Sequence, residues 1–211
     1  MKKKIAVTLL VLILAGSLFA ASFGLGVTSG YATEYLKYNG DNVAFKLDEG
    51  TETVPVSATM HFTLGRHFAM SLNGGATVYL PEKDGDKTDV GANASAALYF
   101  RMPVGSFFDF NLGAGAGYEY QMLDSGSLEI LGTTLAGDIS THTVDVFATV
   151  RPVFNFGEHF SVFADAKVGI DVFKQINGKT NVGSVEVHKN LLEEDIFGWK
   201  WSAQAGIMYR F

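Results

Sequence analysis

The stretch Val90–Tyr120, VGANASAALYFRMPVGSFFDFNLGAGAGYEY, decides how the chain is read. In its first half Val90, Ala92, Ala94, Ala96, Leu98, Phe100 and Met102 alternate with Gly91, Asn93, Ser95, Ala97, Tyr99 and Arg101. In its second half Phe108, Phe110, Leu112, Ala114, Ala116, Tyr118 and Tyr120 alternate with Asp109, Asn111, Gly113, Gly115, Gly117 and Glu119. A repeat of two is the mark of a strand with one apolar and one polar face. The short connection PVGS at 103–106 joins the two as a hairpin.

The pattern extends in both directions. Val54–Leu64, Phe68–Leu80, Val144–Phe154, Phe160–Val172 and Phe197–Phe211 alternate in the same way, and Phe23 to about Tyr35 does so less cleanly. Together these make eight strands. Their connections alternate too: short ones at 65–67, 103–106 and 155–159, long polar ones near 36–52, 81–89, 121–141 and 174–195. Short turns at one end and long loops at the other predict an all-β chain, an eight-stranded antiparallel up-and-down transmembrane β-barrel. Each segment reaches the ~9–11 tilted residues needed to cross a hydrocarbon layer.

Composition agrees. Apolar residues form 47% of the 211 and charged residues 18%, with 24 Gly, 4 Pro and no Cys. That excludes a disordered chain, a disulfide framework, thiolate metal sites and a lipid anchor on cysteine. Lys2, Lys3 and Lys4 precede the apolar run Ile5–Leu14, and Ala15, Gly16, Ser17, Ala20 and Ala21 are small. This predicts a signal peptide over residues 1–20, with residues 21–211 as the barrel domain. The apolar run is short for a membrane anchor. Without those twenty residues the chain keeps 13 basic against 22 acidic side chains, a net charge of −9, which argues against nucleic acid as a partner.

The polar face decides which side points inward. It is rich in Gly, Ser, Asn and Thr and poor in Lys and Glu, which suits a narrow interior and not a solvated wall. The aromatics fall into two bands on the apolar face. Phe23, Phe62, Phe68, Phe100, Phe108, Phe154, Phe160, Tyr209 and Phe211 lie beside the short turns. Tyr31, Tyr118, Tyr120, Trp199 and Trp201 lie toward the long loops. Two such bands mark the two interfaces of a bilayer, so lipid is the expected partner of this face.

The chain closes on Ile207-Met208-Tyr209-Arg210-Phe211, an alternating strand with an aromatic end. Here it resembles the small eight-stranded outer-membrane proteins of the OmpA, OmpX and OmpW types, over the whole chain after the leader. The resemblance implies a bacterial outer-membrane location, long loops outside and short turns in the periplasm. It also implies that Tyr209 and Phe211 form a C-terminal signal read by the outer-membrane assembly machinery. No peptidoglycan-binding module of the OmpA kind is expected after Phe211.

Arg101, Asp109, Asp145, Arg151, Asp165, Lys167 and Arg210 share the inward register and predict an ion-pair network filling the lumen. Asn73, Asn93, Asn111 and Gln204 accompany them, and Tyr79, Phe147, Phe163 and Phe173 are read as inward aromatics. The four long loops hold most of the acidic surplus, so the expected role is structural, with surface interaction through the loops by an extracellular protein or small molecule. A narrow porin-like channel is the first alternative. The OmpW likeness implies a second, a conduit for small hydrophobic molecules. Ser140 and His142, outward at the end of a strand, carry a third: a dyad acting on an ester of a bound lipid, as in barrels that modify lipid A.

No cofactor or metal is expected. The five histidines lack zinc-ligand spacing, and Asp84–Asp89 lacks the closing Glu of a calcium loop. No helix follows the glycine-rich runs 24–30 and 113–117, so they cradle no phosphate; their glycines make room for larger side chains inside. The expected assembly is a monomer.

Overall fold

The computed structural model describes residues 22–38, 51–80, 89–130, 133–180, 186–190 and 196–211. The leader expected over residues 1–20 and much of the long connections lie outside the described residues. The described strands are β1 Ser22–Tyr38, β2 Thr51–Leu64, β3 Phe68–Tyr79, β4 Asp89–Val104, β5 Phe108–Ile130, β6 Thr133–Phe156, β7 Phe160–Thr180, β8 Glu186–Asn190 and β9 Ile196–Arg210. Neighbours pair antiparallel from β1 through β7, β7 pairs with β9, and β9 returns to β1 through Leu25↔Tyr209 and Tyr35↔Trp199. Eight of these strands therefore close a ring with no free edge, which removes the unpaired N–H and C=O groups that a bilayer cannot solvate. The ninth, β8, pairs only with the outer end of β7.

Burial runs opposite to that of a water-soluble domain. Thr59, Ser71, Asn111, Thr149 and Asp165 are buried inside, while Leu98 on the outer face is 64% exposed and Val168 61%. Alternation sorts the side chains, and closure gives the two faces different solvents. Around the turn end, aromatic pairs form a band: Phe23 with Phe62 at 5.1 Å, Phe108 with Phe154 at 5.0 Å, Tyr209 with Phe211 at 5.0 Å. At the other end Tyr35 stacks on Trp199 at 4.6 Å and Tyr31 leans on Trp201 at 5.7 Å.

The strands run further than the sequence pattern predicts. The turn at 65–67 stands as expected and the other two shrink to three residues, 105–107 and 157–159; each of the three is opened by a glycine with φ near +70° (Gly65 68°, Gly105 70°, Gly157 67°). A side chain is strained there and glycine is not. The last residue of each turn fixes its neighbour: the carbonyls of His67, Phe107 and His159 accept from the backbone N–H of Arg101, Asn155 and Arg210 at 2.7, 2.7 and 2.6 Å. At the outer end β5 and β6 continue through most of the expected third loop, and β7 with β8 through part of the fourth.

Three irregularities shape the interior. Pro55 interrupts the β1–β2 ladder, and Pro152 interrupts β6–β7 between Val150↔Ala166 and Val153↔Phe163, because neither has an N–H to give. Between β6 and β7 the register shifts from Val144↔Phe173 to Asp145↔Asp171, leaving Val172 as a bulge. A one-residue insertion exchanges the faces of everything beyond it. Phe173, expected inside, is therefore outside opposite Val144, and Lys174, expected in a loop, points inward opposite Thr143.

Glycines under the inward aromatics do make room. A Cβ on Gly115 would come within 2.6 Å of Phe147 Cζ and would also overlap the Ala96 carbonyl, whereas on Gly74 it would meet only Asn93 O at 3.9 Å. Gly115→Val is expected to destabilise the barrel by about 1–3 kcal/mol through overpacking. Gly74→Ala changes little. Urea unfolding midpoints in lipid vesicles check both.

Candidate functional site

The lumen is built in two charged layers. The lower one, toward the turns, centres on Arg151, which is 2% exposed. Its Nη2 donates to Asp165 Oδ2 at 2.6 Å, and its guanidinium lies 4.9 Å from the ring centres of both Tyr99 and Phe163. Asp165 also accepts from Thr149 Oγ1 at 2.5 Å and has Lys167 Nζ at 3.6 Å. The Lys167 ammonium lies 5.2 Å from the Phe147 ring centre. Arg151 and Asp165 stand beside the ladder gap at Pro152, so the side chains bridge where the backbones do not.

Nearer the turns Arg101 Nη2 pairs with Asp109 at 2.9 Å, and Asn155 Nδ2 donates to the same carboxylate at 3.0 Å. Ser161 Oγ donates to Asn155 at 2.9 Å, and Asn111 Nδ2 to the Arg151 carbonyl at 3.0 Å. Arg210 departs from the expected network. Its Nη2 donates to the Gly157 carbonyl at 2.8 Å and ties β9 to the last turn.

The upper layer contains Asp145 together with residues the predicted network omits. Lys174 is ion-paired with Glu34 and lies 3.7 Å from Asp171. Lys200 is ion-paired with Asp145 and lies 3.6 Å from Glu119, which accepts from the Tyr79 hydroxyl at 2.8 Å. Glu119, Asp171 and Lys200 stand in the inward register that alternation assigns, so counting inward charges to the strand ends finds them. Glu34 needs only the β1 register carried to its end. Lys174 has no such signal, because the bulge at Val172 hides it. Between the layers lies a cavity of about 100 Å³ lined by Asn73, Asn93, Glu119, Asp145, Lys200 and Gln204, among others. Ser57 Oγ donates to Asn93 Oδ1 at 2.8 Å, and Asn93 Nδ2 to Thr77 Oγ1 at 2.9 Å.

Outside, the band residues Phe68, Phe100, Phe154, Phe160 and Tyr209 are exposed on the apolar face, and Phe107 joins them from its turn by packing on Phe154 and Phe156. Phe211 stacks on Phe23 at 5.7 Å, and its N–H donates to the Phe23 carbonyl at 2.8 Å. His142 and Ser140 share the outer face of β6. His142 Nδ1 lies 2.7 Å from the Tyr118 hydroxyl, and its ring is 5.0 Å from that of Tyr120. The imidazole is thus engaged by tyrosines.

An apolar outer wall between two aromatic bands, around an interior of buried polar and charged side chains, defines a transmembrane β-barrel of the small bacterial outer-membrane kind. The solved structures this chain resembles are of that kind. The crystal structure of Neisserial surface protein A aligns over 90% of this chain and 97% of its own, with TM-score 0.54 and 12% identity. A major outer membrane protein from Thermus thermophilus aligns over 88% and 99% (TM-score 0.49, 12% identity), and outer membrane protein AlkL over 88% and 90% (0.49, 12%). Likeness at this level speaks for the fold alone. No protein-family model and no curated sequence matches the chain.

Proposed function

We propose that this barrel is a closed outer-membrane protein whose work is done at its surface, through the acidic loops, and not through its lumen. The observation that carries the reading is the Arg151 layer. A guanidinium held between Tyr99 and Phe163 and bonded to Asp165 fills the cross-section where eight strands leave little room. Ring closure supports a monomer, since among the described residues the eight strands of the wall leave no edge in the membrane to pair with a second copy. The outward aromatic strand end at Tyr209 and Phe211 supports their reading as the assembly signal. The engagement of His142 by Tyr118 and Tyr120 favours an interfacial anchor over a nucleophile's base.

Planar-bilayer recording on the refolded chain tests the closed reading. The expected result is no stable conductance steps for the wild type. Steady channels in the wild type overturn it in favour of a narrow pore.

A further inference from the structure

The upper layer holds more negative than positive charge. Glu34, Lys174 and Asp171 form one carboxylate–ammonium–carboxylate triad, and Glu119, Lys200 and Asp145 another. With all six groups ionised, each triad carries one uncompensated negative charge. Lys167, the nearest cation below, is held by Asp165 and by the Phe147 ring.

The excess is concentrated at one place. Asp145 and Asp171 are direct cross-strand partners on β6 and β7, both facing inward and both 4% exposed. The Asp171 side chain also lies against the Glu34 carboxyl. Like charges directly opposite on neighbouring strands repel, and burial strengthens the repulsion. Asp145 Oδ1 is buried without a hydrogen-bond partner, and Asp171 has only Lys174 Nζ at 3.7 Å and the Glu34 carboxyl beside it. A buried carboxylate with open lone pairs calls for a cation or a donor. Asp145 lines the 100 Å³ cavity, which has room for several waters.

We propose that the upper lumen binds one hydrated divalent cation of the magnesium class at Asp145 and Asp171. Its two charges match the excess of the two triads. No three acidic or imidazole side chains converge as a ready-made cage among the described residues. That favours an ion which keeps part of its water shell and takes one or two carboxylates. Asn73 and Asn93, which also line the cavity, supply polar groups for those waters. The site lies above the Arg151 layer, so it stands whether or not the barrel conducts.

The test is calorimetric titration of magnesium chloride into the refolded full chain in phosphatidylcholine nanodiscs, with potassium chloride at matched ionic strength as control. Thermal melting with and without chelator runs in parallel. The wild type is expected to bind about one ion saturably and to melt higher with magnesium. Asp145→Asn and Asp171→Asn are expected to weaken binding by about tenfold or more. In chelator Asp171→Asn melts above the wild type, since its repulsion with Asp145 is gone and Lys174 keeps Glu34, so its loss of binding is not loss of fold. Three results overturn the proposal. The wild type binds no magnesium at millimolar concentration. The double variant binds as the wild type does, which assigns the ion to the loops. Mild acid stabilises the wild type while magnesium does nothing, which makes a shared proton the neutralising charge.

Discussion

Arg151→Ala is expected to cost the folded barrel about 3–5 kcal/mol, the scale for removing one partner of a buried ion pair. The loss is mainly that of Asp165, which is left charged and buried with Thr149 Oγ1 at 2.5 Å and Lys167 Nζ at 3.6 Å as its remaining support. Lys167 moves closer and water enters, so the lower end of the range applies. Arg151→Lys does not rescue fully: a flat guanidinium fits between the Tyr99 and Phe163 rings, and an ammonium on a flexible stem does not. The double change Arg151→Met with Asp165→Leu removes both charges and is expected to lie nearer the wild type. Urea unfolding in lipid vesicles, followed by Trp199 and Trp201 fluorescence, measures all three. On the proposed closed reading the same alanine variant takes away the side chain that blocks the lumen, so conductance is expected to appear with it. A cost below about 1 kcal/mol, the surface ion-pair range, shows that this layer does not hold the barrel together.

Val27→Arg is expected to cost about 2–4 kcal/mol, the midplane penalty for a cation on the lipid face of a barrel. Val27 is more than half exposed on the outer face of β1, four residues from Phe23 in one aromatic band and four from Tyr31 in the other. That spacing places it at the centre of the hydrocarbon, where snorkelling to either interface is hardest. Phe107→Arg, in a turn at the edge of the band, is expected to cost at most about 1 kcal/mol, since the penalty fades toward the interface. Equal unfolding midpoints for the two arginine variants remove the basis for placing this belt in lipid.

Most of the wall is legible residue by residue. Alternation assigns Leu98 outward and Tyr99 inward without ambiguity, because a strand side chain has only two directions to choose from. Lumen residues are legible only as a set of inward charges. Arg101, Asp109, Arg151, Asp165 and Lys167 all stand in that set, and their closeness depends on closure, which brings β4 to β5 and β6 to β7. Arg210 belongs to the same register yet spends its guanidinium on the Gly157 carbonyl, because β9 ends beside that turn.

Periodicity by itself determined eight strands, two faces and two unlike ends, since these follow from local stereochemistry repeated along the chain. Only the tertiary structure decided what faces what across the lumen. A bulge at Val172 inverts the register beyond it, sending Phe173 out and Lys174 in to meet Glu34 from the far end of the chain. One extra residue in a strand costs little locally and leaves no mark on composition. Its effect appears only when a neighbouring strand supplies the register against which the shift is measured.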